Sequence, residues 1–430
     1  MDDLYSFNPL VLWRQFKKEH FLFKMACLYL ILEYVRPQSI HPELNFVPWD
    51  KVVIGLAVLA LPFDPSRHRV RDATNIWISL FGIVIIAASA FAMFPAISWG
   101  RWFDFFGWYA IYFLIIFSVN TPERFFIFIA IYLVANFKLS FFGARTWAAS
   151  GFSFSRWGIY GPPGDFQNSS DLSTQMLMFA PIAFELALFV KPRAKRLTYW
   201  FLMLGAATGA MTVLGASSRG SQVALAAQAG WIAIQRKLRF RVLAGIVILA
   251  AIGYALLPAA EKARFASAGT DSTSIQRFDY WRGGLKMIER HPLLGVGYFN
   301  FPAVYAIQDP RKLWHGHAQL PHNIFIQVGT DAGLLGLGIF LILIYRNFKI
   351  TRDIRRACAG NASAPAYAPS VARALTVTTW GFVIAGQFNT VAYYPFFWIN
   401  LALTVALFNI VSRSGHAQTP AQELAPSSPE

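Results

Sequence analysis

Two side chains stand out in an otherwise apolar sequence as candidates for chemistry. Pro321-His322-Asn323 comes directly before a long apolar run. A helix N-terminus disfavours imidazolium, so His322 is expected to be neutral and able to accept a proton. The same three residues also read as a helix start with a polar cap, which needs no chemistry. Arg219 lies in the turn Ala216-Ser217-Ser218-Arg219-Gly220-Ser221, between two apolar segments. A guanidinium at that boundary calls for a phosphate or a carboxylate partner. Snorkelling to lipid headgroups is the simpler account.

Further polar residues fall between these two. Gln276-Arg277-Phe278-Asp279-Tyr280-Trp281-Arg282 opens an amphipathic stretch that leads into His291-Pro292-Leu293-Leu294-Gly295-Val296-Gly297. Arg277, Tyr280 and Trp281 share one side at helical spacing. The rings are therefore expected to lie on the membrane surface while an arginine reaches a phosphate, and interfacial anchoring alone accounts for the same pattern. Arg282 lies five residues from Arg277 and points to another side. Asp331 follows His322 by nine residues, about 13 Å along a helix. An intramembrane carboxylate is a functional candidate, or else a structural partner for an arginine such as Arg219. His315, His317 and His322 have a spacing found in some metal sites, but no carboxylate cluster accompanies them, so neither metal nor cofactor is expected.

The elements that must position these groups are membrane helices. Hydrophobic residues make up 56% of the 430 and charged residues only 14%, far below the share in a soluble domain. Apolar runs fall at about 21–35, 52–63, 75–97, 102–119, 123–142, 171–190, 197–216, 221–234, 241–258, 323–345, 371–392 and 395–412. A bilayer requires about 20 such residues per helix, and backbone in lipid must bond to itself. The fold class is thus an all-α membrane protein of about twelve transmembrane helices. Alternate loops are basic: Arg67, Arg69 and Arg71; Lys191, Arg193, Lys195 and Arg196; Arg236, Lys237, Arg239 and Arg241; Arg346, Lys349, Arg352, Arg355 and Arg356. The positive-inside rule puts these loops and both termini in the cytoplasm. It accounts for most of the net charge of +16 without nucleic acid.

The chain then divides into N-terminal membrane helices (1–258), a large periplasmic loop carrying short amphipathic helices (259–322), C-terminal membrane helices (323–412) and a disordered cytoplasmic tail (413–430). A loop as long as 259–322 in a compact protein is usually functional, and its His and Arg residues suit an anionic lipid-linked substrate. Cys27 and Cys358 fall in a helix and a reducing compartment, so no disulfide is expected. No small-residue cleavage site follows the first apolar run, which is expected to stay in the mature protein. No internal repeat is visible.

Taken together the motifs resemble those of the O-antigen ligase and polymerase superfamily of bacterial membrane glycosyltransferases. The resemblance rests on Ser218-Arg219-Gly220; on Arg277 and Trp281 followed by His291-Pro292-Leu293-Leu294-Gly295-Val296-Gly297; and on His322-Asn323 followed by Gly333 and Gly336. It is close over about residues 150–350. The Arg36-Pro37-Gln38 region resembles an exosortase-associated branch, and Asp331 stands where the family commonly has Glu. The resemblance implies inverting, metal-independent transfer of a glycan from an undecaprenyl-pyrophosphate donor to a lipid A core, protein or polysaccharide acceptor at the periplasmic face of the inner membrane. It implies catalytic roles for His322 and Arg219, and substrate contacts from Arg277, Arg282, Trp281, His291, Asn323 and Asp331. The His-Asn-x9-Gly-x-x-Gly pattern favours a ligase over a polymerase. A transporter of lipid-linked sugars would place charges mid-membrane and often shows inverted repeats, and a scaffold would need neither Arg219 nor His322.

Overall fold

A computed structural model describes residues 2–67, 70, 72–153, 158–216, 218–237, 262–263, 266–267, 269–313 and 316–416. Among these residues there is no β-strand, and the principal helices are α1 (Pro9–Lys18), α2 (Phe21–Leu30), α3 (Trp49–Ala60), α4 (Ala73–Ala90), α5 (Trp102–Ser118), α6 (Pro122–Ala149), α7 (Ser169–Val190), α8 (Arg196–Gly215), α9 (Arg219–Gln235), α10 (Ser272–Arg290), α11 (Phe301–Gln308), α12 (Ile324–Cys358), α13 (Ala368–Ala385) and α14 (Pro395–His416). Six of them, α4, α6, α7, α8, α12 and α14, are long and apolar enough to cross a membrane, and α5 is a shorter apolar helix. The protein is an integral membrane protein. The span expected over 241–258 lies outside the described residues, as do His315 and most of the C-terminal tail.

Burial separates helices facing lipid from those facing protein. On α4, Ile76, Leu80 and Ile83 are exposed at spacings of four and three residues, which puts an apolar stripe on the outer surface. α7 is buried almost throughout. Lipid gives apolar side chains no reason to prefer a neighbouring helix, so close approach and interhelical hydrogen bonds hold the bundle together. Gly143 on α6 leaves no room for a Cβ, which would lie 2.5 Å from Thr212 of α8, and Thr212 Oγ1 donates to the Ser140 carbonyl at 2.8 Å. Asn347 of α12 donates to Thr379 Oγ1 of α13 at 2.6 Å and to Asn400 Oδ1 of α14 at 2.7 Å.

The basic segments meet at one end of these helices. Arg236 and Arg373 both pair with Glu185, and Arg346 pairs with Asp72 at 2.8 Å. The opposite ends of α7, α9 and α13 carry the candidate site.

Three expected helices differ in a way that matters for the site. The run at 75–97 stops at Ala90 and resumes as a short helix, Pro95–Gly100. Between them the segment 296–300 captures the backbone: Met93 N–H donates to the Val296 carbonyl at 2.9 Å and Phe94 N–H to Asn300 Oδ1 at 2.8 Å. The run at 371–392 ends as helix at Ala385, leaving residues 386–394 as a connection. The run from 323 continues to Cys358 but breaks at Gly333, whose φ of 65° and ψ of −167° are not helical. A broken ladder in lipid must find other partners. Here Leu334 N–H donates to the Pro292 carbonyl and the Thr330 carbonyl accepts from Val296 N–H, each at 2.7 Å.

Candidate functional site

Ser218, Arg219 and Gly220 begin α9, and each has a separate physical role. Ser218 is the N-cap, its Oγ accepting from Ser221 N–H at 3.3 Å, which satisfies a donor left over at the helix start. A hydroxyl ladder ties this turn to α7, Ser173 donating to Ser221 at 2.7 Å and Ser221 to Ser218 at 3.0 Å. Gly220 lets Phe388 sit against the backbone, where a Cβ would come within 2.5 Å of the ring.

Arg219 is thereby presented to the start of α10. Its Nη2 donates to Asp271 Oδ2 at 2.6 Å and to Ser274 Oγ at 3.2 Å. The carboxylate that Arg219 meets is therefore Asp271 rather than Asp331. Asp271 is also the N-cap of α10, accepting from Ser274 N–H at 3.1 Å. Burial pushes its carboxyl up, but hydrogen bonds from Thr273, Arg219 and Ser274 outweigh that and hold it well below the usual range.

Six residues on, Arg277 is half-buried beside Arg219. Burial first, and then the like charge of Arg219, press its guanidinium below the ordinary range, with Asp271 opposing. Arg277 in turn faces His322. Burial, with the Arg277 charge adding to it, pushes the His322 imidazole down to about 4, so the ring is neutral near pH 7. The neutrality expected from the sequence is found, though its cause is burial and a neighbouring cation rather than the helix terminus.

Asn323, not His322, caps α12: its Oδ1 accepts from Phe325 N–H at 2.9 Å and Ile326 N–H at 3.2 Å. His322 precedes the cap in a left-handed conformation, φ 50°, which a side chain with a Cβ adopts only when its surroundings hold it there. Its N–H donates to Thr390 Oγ1 at 2.9 Å, and ring Nε2 lies 3.2 Å from Gln319 Oε1.

Of the aromatic residues of α10, Phe278 is exposed, whereas Tyr280 and Trp281 are engaged by the protein itself rather than left on a surface. Tyr280 is fully buried, its ring centroid 4.7 Å from that of Tyr305. Trp281 turns to the site: Nε1 donates to the Pro321 carbonyl at 2.9 Å, which braces the residue before His322. Tyr280 is captured because residues 301–313 fold back over α10, with Phe301 and Tyr305 against its ring, and Trp281 is held by Pro321 and Phe388.

Arg282 and His291 are exposed and apart from this cluster. The His291-to-Gly297 motif is instead the strap that completes the broken helix, and Gly295 and Gly297, at φ 67° and 112°, make its turns. Asp331 is 1% exposed and lies beside Tyr393 and the backbone of Phe299, away from the arginines. His317 is exposed, and among the described residues no group of three His, Cys, Asp or Glu side chains is arranged to hold a metal ion.

The sequence reading missed Asp271, because the helix it caps begins at Ser272, four residues before the amphipathic stretch read from Gln276. It also missed the connection 386–394, whose signals were Gly386, Gln387 and the pair Asn389-Thr390 in an apolar run, with Pro395 after it.

A neutral histidine beside two guanidiniums, at the ends of α7, α9 and α13 away from the basic segments, can accept a proton while the guanidiniums stabilise an anionic leaving group. The chain matches no curated protein to which it was compared. Residues 204–341 match the family model described as O-antigen ligase; that stretch holds Arg219, Arg277 and His322 alike, and the match supports the O-antigen ligase superfamily for this chain.

Proposed function

We propose that this membrane glycosyltransferase moves a glycan from an undecaprenyl-pyrophosphate donor to a hydroxyl acceptor at the periplasmic face of the bacterial inner membrane, with inversion and without a metal. The proposal includes about twelve spans with both termini cytoplasmic, in keeping with the alternation of basic loops.

The chemistry follows from the two kinds of group. His322 accepts the proton of the acceptor hydroxyl as that oxygen attacks the anomeric carbon. The bond from that carbon to the pyrophosphate oxygen breaks on the opposite face, and undecaprenyl pyrophosphate leaves with the electron pair. Arg219 and Arg277 bind the pyrophosphate and stabilise the charge it gains. Asn323 and Trp281 hold His322 in place from its two flanks. Arg282 and His291, both exposed, take no part in the transfer step.

The observation that carries this reading is the convergence of Arg219, Arg277 and a neutral His322 from three separate segments. Asp271 keeps Arg219 extended until a pyrophosphate competes for it. The test is transfer by the purified protein in lipid nanodiscs, supplied with undecaprenyl-pyrophosphate glycan and with lipid A core, protein or polysaccharide acceptors. Product with an inverted anomeric centre, lost in His322→Ala and Arg219→Ala, supports the reading. Product only when the acceptor is a second lipid-linked glycan makes the protein a polymerase of the same superfamily. Full transfer in both variants sinks the assigned roles.

A further inference from the structure

The connection between α13 and α14, residues 386–394, lies beyond the stretch that matches the family model, and it touches the candidate site at successive positions. The Gln387 carbonyl accepts from Asn323 Nδ2 at 3.2 Å. The Phe388 ring covers Gly220 and lies 6.3 Å from that of Trp281. Asn389 Nδ2 donates to Asp171 Oδ1 at 2.9 Å and Thr174 Oγ1 at 3.3 Å. Its Oδ1 accepts from Thr390 N–H at 2.8 Å, and Thr390 Oγ1 accepts from His322 N–H at 2.9 Å. Asn389, Thr390 and Asp171 are 5%, 7% and 4% exposed.

We propose that Thr390, fixed by the Asn389–Asp171 pair, is a positioning residue for His322, holding it in the left-handed backbone conformation that sets the imidazole against Arg277. This rests on the assignment of His322 as general base.

A left-handed non-glycine residue is strained. Two of the three groups that pin this one lie in the matched stretch: the Pro321 carbonyl taken by Trp281 and the Asn323 side chain in its cap. The third is the His322 N–H, whose acceptor is Thr390. That hydroxyl cannot drift, because its own backbone is bound to Asn389, and Asn389 is bound to a carboxylate on the most buried helix of the bundle. Asp171 takes neutral amide donors at both oxygens, Asn389 on one and Asn168 on the other. It thus ends a chain of hydrogen bonds from α7 to the base.

The charged and titratable groups around His322 are Arg277 from α10, with Arg219 and Asp271 behind it, and Asp171 from α7, through Asn389. His317 lies on its own segment.

Three variants test the proposal in nanodisc-reconstituted full-length protein. Thr390→Val keeps the volume and removes the acceptor; Thr390→Ser keeps the acceptor. The expected result for Thr390→Val is a fall in kcat of roughly ten- to a hundred-fold, the range for a small misplacement of a catalytic group, with donor KM within about twofold. The acid limb of its kcat/KM profile should move up toward that of an ordinary imidazole as the ring leaves Arg277. Thr390→Ser is expected to recover most of kcat and the original limb. Thr390→Cys, with a weakly accepting sulfur, replaces Thr390→Val if that protein does not fold, and should fall below Thr390→Ser. Unchanged kcat and limb in Thr390→Val overturn the proposal, as does an effect confined to KM or equal loss in Thr390→Ser. Full transfer by His322→Ala would instead remove the general-base assignment and this proposal with it, a result read on a different variant.

Discussion

The acid limb of the pH–rate profile is the sharpest test of the site's electrostatics. A general base must be deprotonated to act, so kcat/KM falls as pH drops through the base's value in the free enzyme. His322 is held at about 4, roughly 2.5 pH units below an ordinary imidazole. At pH 6 an unperturbed ring would be about three-quarters protonated, whereas this one is about one per cent protonated. The wild-type profile is therefore expected to be flat from about pH 5 to neutrality. Arg277→Gln removes the like charge but leaves the burial. Because burial is the larger of the two causes, the charge accounts for under half of the depression, and the variant's limb should rise by at most about one unit, worth roughly 1.4 kcal/mol. The assay is initial-rate transfer in nanodiscs at sub-saturating donor from pH 4 to 8, each variant normalised to its own plateau so that weaker pyrophosphate binding does not enter. A wild-type limb near 6.5, or an Arg277→Gln limb that stays put or moves down, would refute the reasoning.

Other outcomes follow from the same geometry. Arg219→Ala should lower kcat by about a hundred- to a thousand-fold, as removal of a preorganised charge at a leaving group does, and Arg219→Lys should restore no more than about a tenth because an ammonium lacks the guanidinium fork; both are read at matched membrane abundance. Arg282→Ala and His291→Ala, at exposed positions, should leave transfer within about twofold of wild type. Gly333→Ala puts a Cβ 2.2 Å from the Leu293 carbonyl at a left-handed φ, whereas Gly338 has nothing within 4 Å; size-exclusion profiles should show loss of monodisperse protein for the first and none for Gly338→Ala.

Hydrophobic runs made most helices legible, because a bilayer admits few other readings of 20 apolar residues. The features that escaped are those where tertiary contacts overrule local pattern. Ala90 ends a helix in an apolar run because Val296 and Asn300 take the backbone groups that follow. Tyr280 fits interfacial anchoring by spacing, yet residues far along the loop bury it. Arg219 and His322 were visible as polar residues at apolar boundaries. Their partners Asp271 and Thr390 lie 52 and 68 residues away, and no spacing rule reaches that far.

The break in α12 also bears on how the chain is assembled. A translocating segment judged by hydrophobicity alone enters lipid as one uninterrupted rod from Ile324 onward. The two peptide groups freed at Gly333 acquire partners only when residues 292–296 fold back against it. The bent form of this helix therefore depends on that contact and not on hydrophobicity alone. A chimera receiving residues 259–322 from a relative needs that relative's residues flanking Gly333 as well, or the rod has no reason to bend.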